Sequence, residues 1–477
     1  KHDRSDLLDE DSMIILNKLS PIFKKYIEQQ DTIESRNPYL TSIKLYTPQT
    51  RKTFYEFINE SYRDTFGIPI KETRVIDQEA CNKIEESKKQ GLIEAFSYQK
   101  FISEYIRNAS PYRGILVYHG LGFGKTCASI AAAEALYGTA NKKIIVMTPA
   151  SLRPNFLSEI SFCGFRHFNV NNHWIKQSLV SEDGVTYLYA QEIMSLPKSY
   201  LDKVLRRLED HRKVIWIPYF EKKPNFYDKS QISEQDRQDI RQQITAMIES
   251  RITFINYNGI MPYELKHYAC NPDEDGKYFF DDSVVVIDEI HNLIRLMRSN
   301  ILKYLTPPRK GKKISKYEAI EPGRWKPAQC DTPDTYNRGY LFYKLLTDAR
   351  NTKIIGLSGT PIINFPEELG ILSNVLAGYI ECVEFIVNTN VLVILNAIKK
   401  ILDVEQRIDI VRFQVRDNHT EFLASVFNEG YEKKISDSTK GKINVKYNED
   451  AQESIRDIYK RLRSEINQQA PILSEKF

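Results

Sequence analysis

A glycine-rich turn between an apolar segment and an Ala-rich segment is the first feature of the sequence that could do chemistry. GILVYH (114–119) leads into a turn that ends Gly124-Lys125-Thr126, and CASIAAAEAL follows. Backbone N–H groups at the start of a helix bind phosphates, and glycines let the chain approach them closely. Lys125 would reach the outer phosphates of a nucleotide, and the Thr126 hydroxyl would ligate Mg²⁺.

The strict spacing G-x-x-x-x-G-K-[ST] is not met, because its first position is His119 and only the shorter form G-x-G-K-T remains. The alternative interpretation is a glycine turn that precedes a helix by chance. The strand pattern before it and the helix pattern after it favour a phosphate loop. The residues expected to hold the phosphates are Gly120, Leu121, Gly122, Phe123, Gly124, Lys125 and Thr126.

A pair of acidic residues follows a second apolar run. VVVID-EIH places Asp288 and Glu289 directly after a predicted strand, at the edge where ligands of open α/β sheets bind. Asp288 would hold Mg²⁺, and Glu289 would orient and deprotonate an attacking water. Alone, an acid-capped strand end is common in any protein. Together with the phosphate loop it predicts a complete site for nucleotide hydrolysis.

Three further strand ends carry hydroxyl and amide residues. GLSGTP (356–361) holds Ser358 and Thr360, which could bond to His291 or sense an outer phosphate. TPASLRPNF contains Thr148 and FINYNG contains Asn258, and such groups suit contact with a phosphodiester backbone. Gln99, upstream of the phosphate loop, could read an adenine edge with its amide.

A basic run follows the acidic pair and contains Arg309, Lys310, Lys312 and Lys313. Two interpretations stay open for it. It is either a solvated, charged loop or a mobile set of cations that neutralises nucleic-acid phosphates.

In chain order, Gln99, GLGFGKT, TPASL, DEIH and SGTP resemble the first-lobe motifs of superfamily 2 helicases and translocases, and DEIH resembles the DExH group. LSGTPIINFPEELGILSNVL is similar to a segment of chromatin-remodelling translocases and of poxvirus and giant-virus nucleoside triphosphatase I. YQKFISEYI and FINYNG also resemble that viral group, including helicases of the early transcription factor type. The resemblance covers roughly residues 91–380.

The resemblance implies ATP and Mg²⁺ as cofactors, and nucleic acid as partner, with DNA favoured over RNA. It implies that Gln99 binds adenine and that Lys125 and Thr126 bind phosphate and Mg²⁺. Asp288 and Glu289 would bind metal and activate water, while His291 and Ser358–Thr360 would couple hydrolysis to nucleic acid. It also implies an intracellular location, the viral factory or the virion, and transcription or nuclease partners.

Such enzymes need a second RecA-like lobe that supplies arginine fingers, yet no Q-x-x-G-R-x-x-R-like element follows Pro361. We therefore expect ATP binding with weak hydrolysis from this chain alone, because an arginine finger contributes about 10³–10⁵ in turnover. The sequence also does not begin with Met, and we expect it to be part of a longer protein or a processed product.

The elements that must position these residues can be read from periodicity. Seven β-branched or aromatic runs alternate with helical stretches from about residue 91, which predicts an α/β fold with a parallel central sheet. The runs are GILVYH, KIIVMT, VTYLYA (185–190), KVIWIP, ITFINY, VVVID and KIIGLS. Residues 224–251 are expected to form a solvated helix, and residues 307–335 an exposed loop.

The predicted domains are a helical extension over 1–90, a RecA-like ATP-binding lobe over 91–380 and a small β-α-β-β unit over 381–449. Residues 450–477 are expected to form a helix that could begin a second lobe. Within the extension, apolar spacing predicts helices over 12–29 and 53–66.

Composition excludes several classes of protein. The 477 residues include 23 Phe and 28 Tyr, which supply enough apolar mass for about three domains and exclude a wholly disordered chain. A formal charge of +4 is too small to indicate nucleic-acid binding by itself. Six scattered cysteines without a C-x-x-C pair predict a reducing compartment rather than a zinc ribbon or a dense disulfide framework. No apolar run approaches the ~20 residues of a membrane span, so no membrane partner is expected.

Three functions remain at this point. The first is an ATP-dependent nucleic-acid helicase or translocase of the large DNA virus type, acting in transcription or genome processing. The second is a non-catalytic ATP-binding scaffold, or a transcription or virion assembly factor. The third is a motor subunit like those of type III restriction enzymes, although no P-D-(D/E)-x-K nuclease pattern is present.

Overall fold

The computed structural model describes residues 43–66, 97–118, 125–140, 142–163, 165–182, 184–209, 212–219, 222–305, 330, 337–361, 365–435, 443–448, 450, 451 and 453–476. The chain divides into two compact units. The first takes its described residues from 66–107 and 113–377, and the second from 40–65, 108–112 and 378–477. The phosphate loop (119–124), the basic run (309–316) and the predicted helix over 12–29 lie outside the described residues.

Helix α1 (Phe54–Phe66) belongs to the second unit. In chain order the elements of the first unit are α2 (Ser97–Tyr105), β1 (Gly114–Tyr118), α3 (Lys125–Ala140), β2 (Lys143–Thr148), α4 (Arg153–Cys163), β3 (His173–Ser178), α5 (Val185–Glu192), α6 (Lys198–Leu205), β4 (Val214–Tyr219), α7 (Glu234–Arg251), β5 (Ile252–Asn256), α8 (Pro262–Cys270), β6 (Ser283–Ile287), α9 (Ile290–Leu305), α10 (Arg338–Asp348), β7 (Lys353–Ser358) and α11 (Glu367–Ala377).

Five of these strands form one parallel sheet in the spatial order β1-β7-β6-β2-β5. Every residue of β6 and β7 is buried, as expected of central strands covered on both faces. Helix α3 contacts β2, β6 and β7, while α8, α9, α10 and α11 share one apolar core with the sheet. This architecture confirms the predicted α/β fold with a parallel central sheet, and it is consistent with a RecA-like fold.

The segment between α4 and β5 departs from the prediction. VTYLYA was expected to be a strand, but residues 185–192 form helix α5. Tyr187, Tyr189 and Ala190 are buried, so tertiary packing overrides the β propensity of the aromatic residues. KVIWIP does form β4, yet β4 pairs antiparallel with β3 in a separate two-stranded sheet.

Helix α7 was expected to be solvated, and it is so on one side only. A capping box fixes its start, because the Ser233 hydroxyl accepts from the Asp236 N–H at 3.1 Å and the Asp236 carboxylate bonds back to Ser233. Ile240, Ile244 and Met247 lie three to four residues apart and are buried. The helix is therefore amphipathic, although Arg237, Gln243 and Arg251 also lie on its buried side.

The second unit contains α1 and, in chain order, β8 (Cys382–Val387), α12 (Leu392–Val404), β9 (Ile408–Val415), β10 (Thr420–Val426), β11 (Tyr431–Ile435), β12 (Ile443–Tyr447), α13 (Ile455–Gln469) and β13 (Ile472–Lys476). Four strands form an antiparallel sheet in the order β13-β8-β10-β9. The β-α-β-β-α-β succession with this order is the ferredoxin-like topology, with the β11–β12 hairpin inserted before α13.

The sequence predicted the β-α-β-β part of this unit and assigned 450–477 to a separate element. In the structure, α13 and β13 complete the sheet unit. Ile458, Leu462 and Ile466 of α13 share a core with Val383 and Phe385 of β8, and β13 pairs with β8. The earlier segment also joins this unit, since Tyr46 exchanges backbone hydrogen bonds with Val445 of β12 at 2.8 and 2.7 Å.

A disulfide joins Cys270 at the end of α8 to Cys330. The wide spacing of the cysteines did not predict this bond, because residues that are 60 positions apart are brought together only by the packing of the helices around them. Among the helices that the structure describes, none combines the length and apolar character that crossing a membrane requires.

Gly114 offers a test of the first unit's packing. A Cβ at this position would lie 2.5 Å from the carbonyl oxygen of Leu376, a backbone atom near the end of α11. We expect Gly114→Ala to lower the free energy of unfolding by about 1–3 kcal/mol, because α11 or β1 must shift. Urea unfolding followed by circular dichroism measures it.

Gly370→Ala is the matched control. Gly370 lies within α11, and no heavy atom would come within 4 Å of a Cβ there. Since alanine is the better helix former, this variant should be more stable by about 0.5–1 kcal/mol. Equal effects of the two substitutions would contradict the packing of β1 against α11.

Candidate functional site

The acidic pair lies in the turn between β6 and α9. The Asp288 N–H donates to the Met147 carbonyl at 2.8 Å, and the Tyr257 hydroxyl donates to the carbonyls of Asp288 and Glu289 at 3.1 and 3.3 Å. Glu289 has a φ of +46°, in the left-handed region that costs a non-glycine residue roughly 1–2 kcal/mol. The hydrogen bonds from β2 and from the residue after β5 hold this turn in place.

The carboxyl group of Asp288 is held in a largely buried position. Burial raises its pKa to about 6, and the neighbouring charge of Glu289 adds to the shift. A hydrogen bond from Thr148 and the positive charge of Lys125 act in the opposite direction. A carboxyl group in this state gains more than an exposed one from a bound cation, because the cation offsets both burial and the second acid.

Thr148 has a different role from the predicted one. We expected it to contact a phosphodiester backbone, but its side chain is fully buried. Its Oγ1 donates to Asp288 Oδ2 at 3.3 Å. The end of β2 lies beside the end of β6 in the sheet, so the hydroxyl points at the neighbouring strand's acid rather than at solvent.

Lys125 and Thr126 are the first residues of α3, and the Lys125 charge acts on both Asp288 and His291. The lysine and the acidic pair, distant in sequence, therefore belong to one electrostatic site at the carboxyl edge of the sheet. Among the described residues no cluster of three or more His, Cys, Asp or Glu could cage a metal. Asp288 and the Thr126 hydroxyl are the groups that could hold Mg²⁺, a cation that keeps waters and binds substrate phosphates.

His291, Ser358 and Thr360 are brought together as predicted from their strand ends. His291 Nδ1 lies 2.9 Å from Ser358 Oγ and 3.3 Å from Glu289 Oε2, and the Thr360 N–H donates to Ser358 Oγ at 3.0 Å. Burial lowers the pKa of His291, the charges of Arg295 and Lys125 lower it further, and Glu289 opposes them. A neutral imidazole thus connects the acid after β6 to the end of β7.

A polar cavity of about 620 Å³ opens beside this network. Its hydrogen-bonding and charged lining includes Ser151, Asn258, Asn292, Arg295, Arg298 and Ser299. Asn258, one of the predicted nucleic-acid contacts, is exposed on its wall. The cavity therefore lies between the segments that follow β2 and β5, the first turns of α9 and, through Phe365 and Glu368, the start of α11.

The other predicted site residues are placed only in part. Gln99 lies on α2, and its side chain is outside the description. Gly120, Leu121, Gly122, Phe123 and Gly124, together with Arg309, Lys310, Lys312 and Lys313, are outside the described residues. Two residues of the site were missed, Tyr257 and Arg295. Tyr257 lies inside the FINYNG segment, whose Asn258 was predicted to contact nucleic acid, and Arg295 lies four residues after His291, within reach on a helix.

Comparison with known proteins gives partial matches. A protein of Acanthamoeba polyphaga mimivirus named "Putative ATP-dependent RNA helicase" is 34% identical over 151 residues, 32% of this chain and 23% of that protein. A second mimivirus protein of the same description is 34% identical over 109 residues, 21% of this chain and 9% of its own length. A "Putative helicase" of Frog virus 3 is 37% identical over 73 residues, 15% of this chain and 8% of its own length.

No family model matches the chain. The matched segments span less than a quarter of the length of these relatives. The chain is thus similar, over part of its length, to proteins of large DNA viruses that are named helicases.

The raised pKa of Asp288 predicts how stability depends on pH. The folded state binds this proton more tightly than the unfolded chain, so Asp288 favours folding at low pH, and that contribution is lost as pH rises through about 6. In metal-free buffer, Asp288→Asn should therefore raise the free energy of unfolding at pH 8, on the order of 1 kcal/mol. The gain should be about half as large at pH 5, because that pH lies between the unfolded-chain pKa of about 3.9 and the folded value of about 6, and urea unfolding at the two pH values would measure the difference.

Asp275→Asn is the control, since Asp275 is exposed on the loop after α8. It should change stability little at either pH. A gain for Asp288→Asn that is the same at pH 5 and pH 8 would show that the carboxyl group titrates normally.

Proposed function

We propose that this chain carries the ATP-binding lobe of a nucleic-acid helicase or translocase of superfamily 2, of the DExH group. The observation that carries the proposal is the shared electrostatic site of Lys125, at the start of α3, and the Asp288–Glu289 pair after β6. Such a site needs a cation for phosphate and acids for metal and water. The similarity to proteins named helicases supports the same proposal.

The roles of the residues follow from their positions. Lys125 would neutralise the outer phosphates, and Thr126 with Asp288 would hold Mg²⁺, which supplies charge stabilisation at the phosphate under attack. Glu289 would orient and deprotonate the attacking water. The left-handed backbone of Glu289 and the Tyr257 hydrogen bond to its carbonyl fix the backbone position from which this carboxylate extends. Gln99, on α2 before β1, would contact adenine.

The His291–Ser358 pair would connect the nucleotide to the rest of the lobe. His291 Nδ1 faces both Glu289 and the Ser358 hydroxyl, so a change in Glu289 on hydrolysis would alter the hydrogen bond to the end of β7. Ser358 in turn holds the backbone N–H of Thr360. A change in these hydrogen bonds would thereby be passed to helix α11, which follows this segment.

The substrate is a nucleic-acid strand, gripped through phosphates rather than bases. We propose DNA rather than RNA as the strand, because the SGTPIIN segment resembles a segment of chromatin-remodelling translocases. Two of the relatives described above are nevertheless named RNA helicases. We propose a viral setting, the factory in the host cytoplasm or the virion, with transcription or nuclease partners. We assign no arginine finger of a second RecA-like lobe to this chain.

The central test is Glu289→Gln. This variant should keep Mg²⁺-dependent binding of a fluorescent ATP analogue and lose turnover by about 10²–10⁴, because only the general base is removed. Glu274→Gln, an exposed change on the loop after α8, is the matched control and should leave both quantities unchanged. If Glu289→Gln kept full biological function, the chain would act as an ATP-binding scaffold or an assembly factor instead.

A second prediction concerns the rate of the wild-type chain. Without an arginine finger we expect turnover that lies about 10³–10⁵ below that of a complete motor. Phosphate release measured with and without single-stranded DNA or RNA gives this rate. A fast turnover that the strand strongly stimulates would show that the chain supplies its own finger.

A further inference from the structure

The cavity beside the DEIH turn contains one arginine that the fold leaves uncommitted. Arg295 is exposed, and among the described residues it makes no hydrogen bond or ion pair. Arg298, one turn later, is engaged: its guanidinium lies 3.5 Å from the Phe365 ring centroid and its Nε 3.9 Å from Glu367. Arg295 therefore presents its planar set of five donors to the cavity, a geometry that matches phosphate oxygens.

The remaining lining suits a phosphodiester better than a small ion. Ser151, Asn258 and Asn292 supply neutral donors, the mixture that usually contacts nucleic-acid backbones. A volume of about 620 Å³ is far larger than a lone phosphate needs, so a sugar and part of a base have room as well. The lining also contains the acid Glu368, which is 2% exposed and whose charge acts on His291 in the direction opposite to that of Arg295.

Helix α9 joins this cavity to the nucleotide site. His291 and Arg295 are four residues apart and therefore lie on the same side of the helix, one turn from each other. The positive charge of Arg295 already acts on the imidazole of His291. An anion on Arg295 would offset that charge, so occupancy of the cavity would be felt at the residue that bonds Ser358 and faces Glu289.

Resting on the proposed function, we propose that this cavity holds one phosphodiester of the bound strand, with Arg295 as its charged contact. We further propose that this contact is the route by which strand binding reaches His291, through a single turn of α9. Arg295 is thus a strand-binding residue that also positions the nucleotide site, distinct from the DEIH and SGTP residues themselves.

Arg295→Gln tests the contact. Anisotropy of fluorescein-labelled oligothymidine and oligouridine, measured over a range of salt concentrations, should show affinity lower by about tenfold or more. The slope of log affinity against log salt should fall by about 0.7, the value for one phosphate of a single strand. Arg206→Gln, the same change at an exposed arginine after α6, is the matched control and should leave the slope unchanged.

The link to His291 has its own readout. At saturating strand, the stimulated turnover of Arg295→Gln should stay below that of wild type, and Arg295→Lys should recover part of it. If Arg295→Gln reached wild-type turnover once the strand saturates, the link to His291 would be refuted. The same conclusion would follow if the wild-type chain bound the strand without any rise in turnover.

Other outcomes separate this inference from the proposed function. If wild type binds neither oligonucleotide, the proposed function fails. If wild type binds but Arg295→Gln matches Arg206→Gln in affinity and slope, only the cavity assignment fails. Displacement of the oligonucleotide by polyglutamate of equal charge, at equal concentration and equally in wild type and Arg295→Gln, would identify a general polyanion surface and overturn the assignment.

Discussion

A charged carboxyl group kept largely out of water at the end of β6 is the constraint on which the rest of the site depends. Burial and Glu289 raise the pKa of Asp288 to about 6, so its ionised form at neutral pH needs compensation. The protein supplies part of it through the Thr148 hydroxyl and the charge of Lys125. The remainder is left for a cation, which is what a metal-binding acid requires. The site is therefore built at the expense of the stability of the empty protein.

Close packing between β7 and the start of α9, next to the acidic pair, explains why a glycine stands at position 356. A Cβ on Gly356 of β7 would lie 2.7 Å from Cδ1 of Ile290, the first residue of α9. The absence of a side chain at this strand position allows α9 to start against the sheet, immediately after the left-handed Glu289. Two residues further along β7, Ser358 then meets His291. The SGTP and DEIH segments thus fit each other through sterics as well as hydrogen bonds.

Much of this could be predicted from the sequence, because strand ends of a parallel sheet meet at one edge. That rule sufficed to predict that Ser358 would meet His291 of the DEIH segment. It could not assign Thr148, since whether a hydroxyl at a strand end faces solvent or the next strand depends on register. Residue patterns also failed for α5, where packing outweighs the strand propensity of VTYLYA. Cysteine spacing failed for the Cys270–Cys330 disulfide, because that bond depends on how the helices are placed. The proposed role of Arg295 depends on a cavity whose walls come from four separate segments, and no local pattern records such a cavity.

The ferredoxin-like unit bears on where nucleic acid would bind. Sheets of this topology can bind RNA by stacking bases on aromatic residues of their open face. Here the aromatic residues Phe385 and Phe422 point into the core shared with α12 and α13. The alternate positions on the open face of β8 and β10 carry acids or aliphatic and small residues, namely Cys382, Glu384, Ile386, Glu421, Leu423 and Ser425. Acids repel phosphates, and none of these side chains offers a ring for a base. Within the described residues, the open face of these two strands therefore lacks the chemistry for strand binding, and the cavity beside α9 has it.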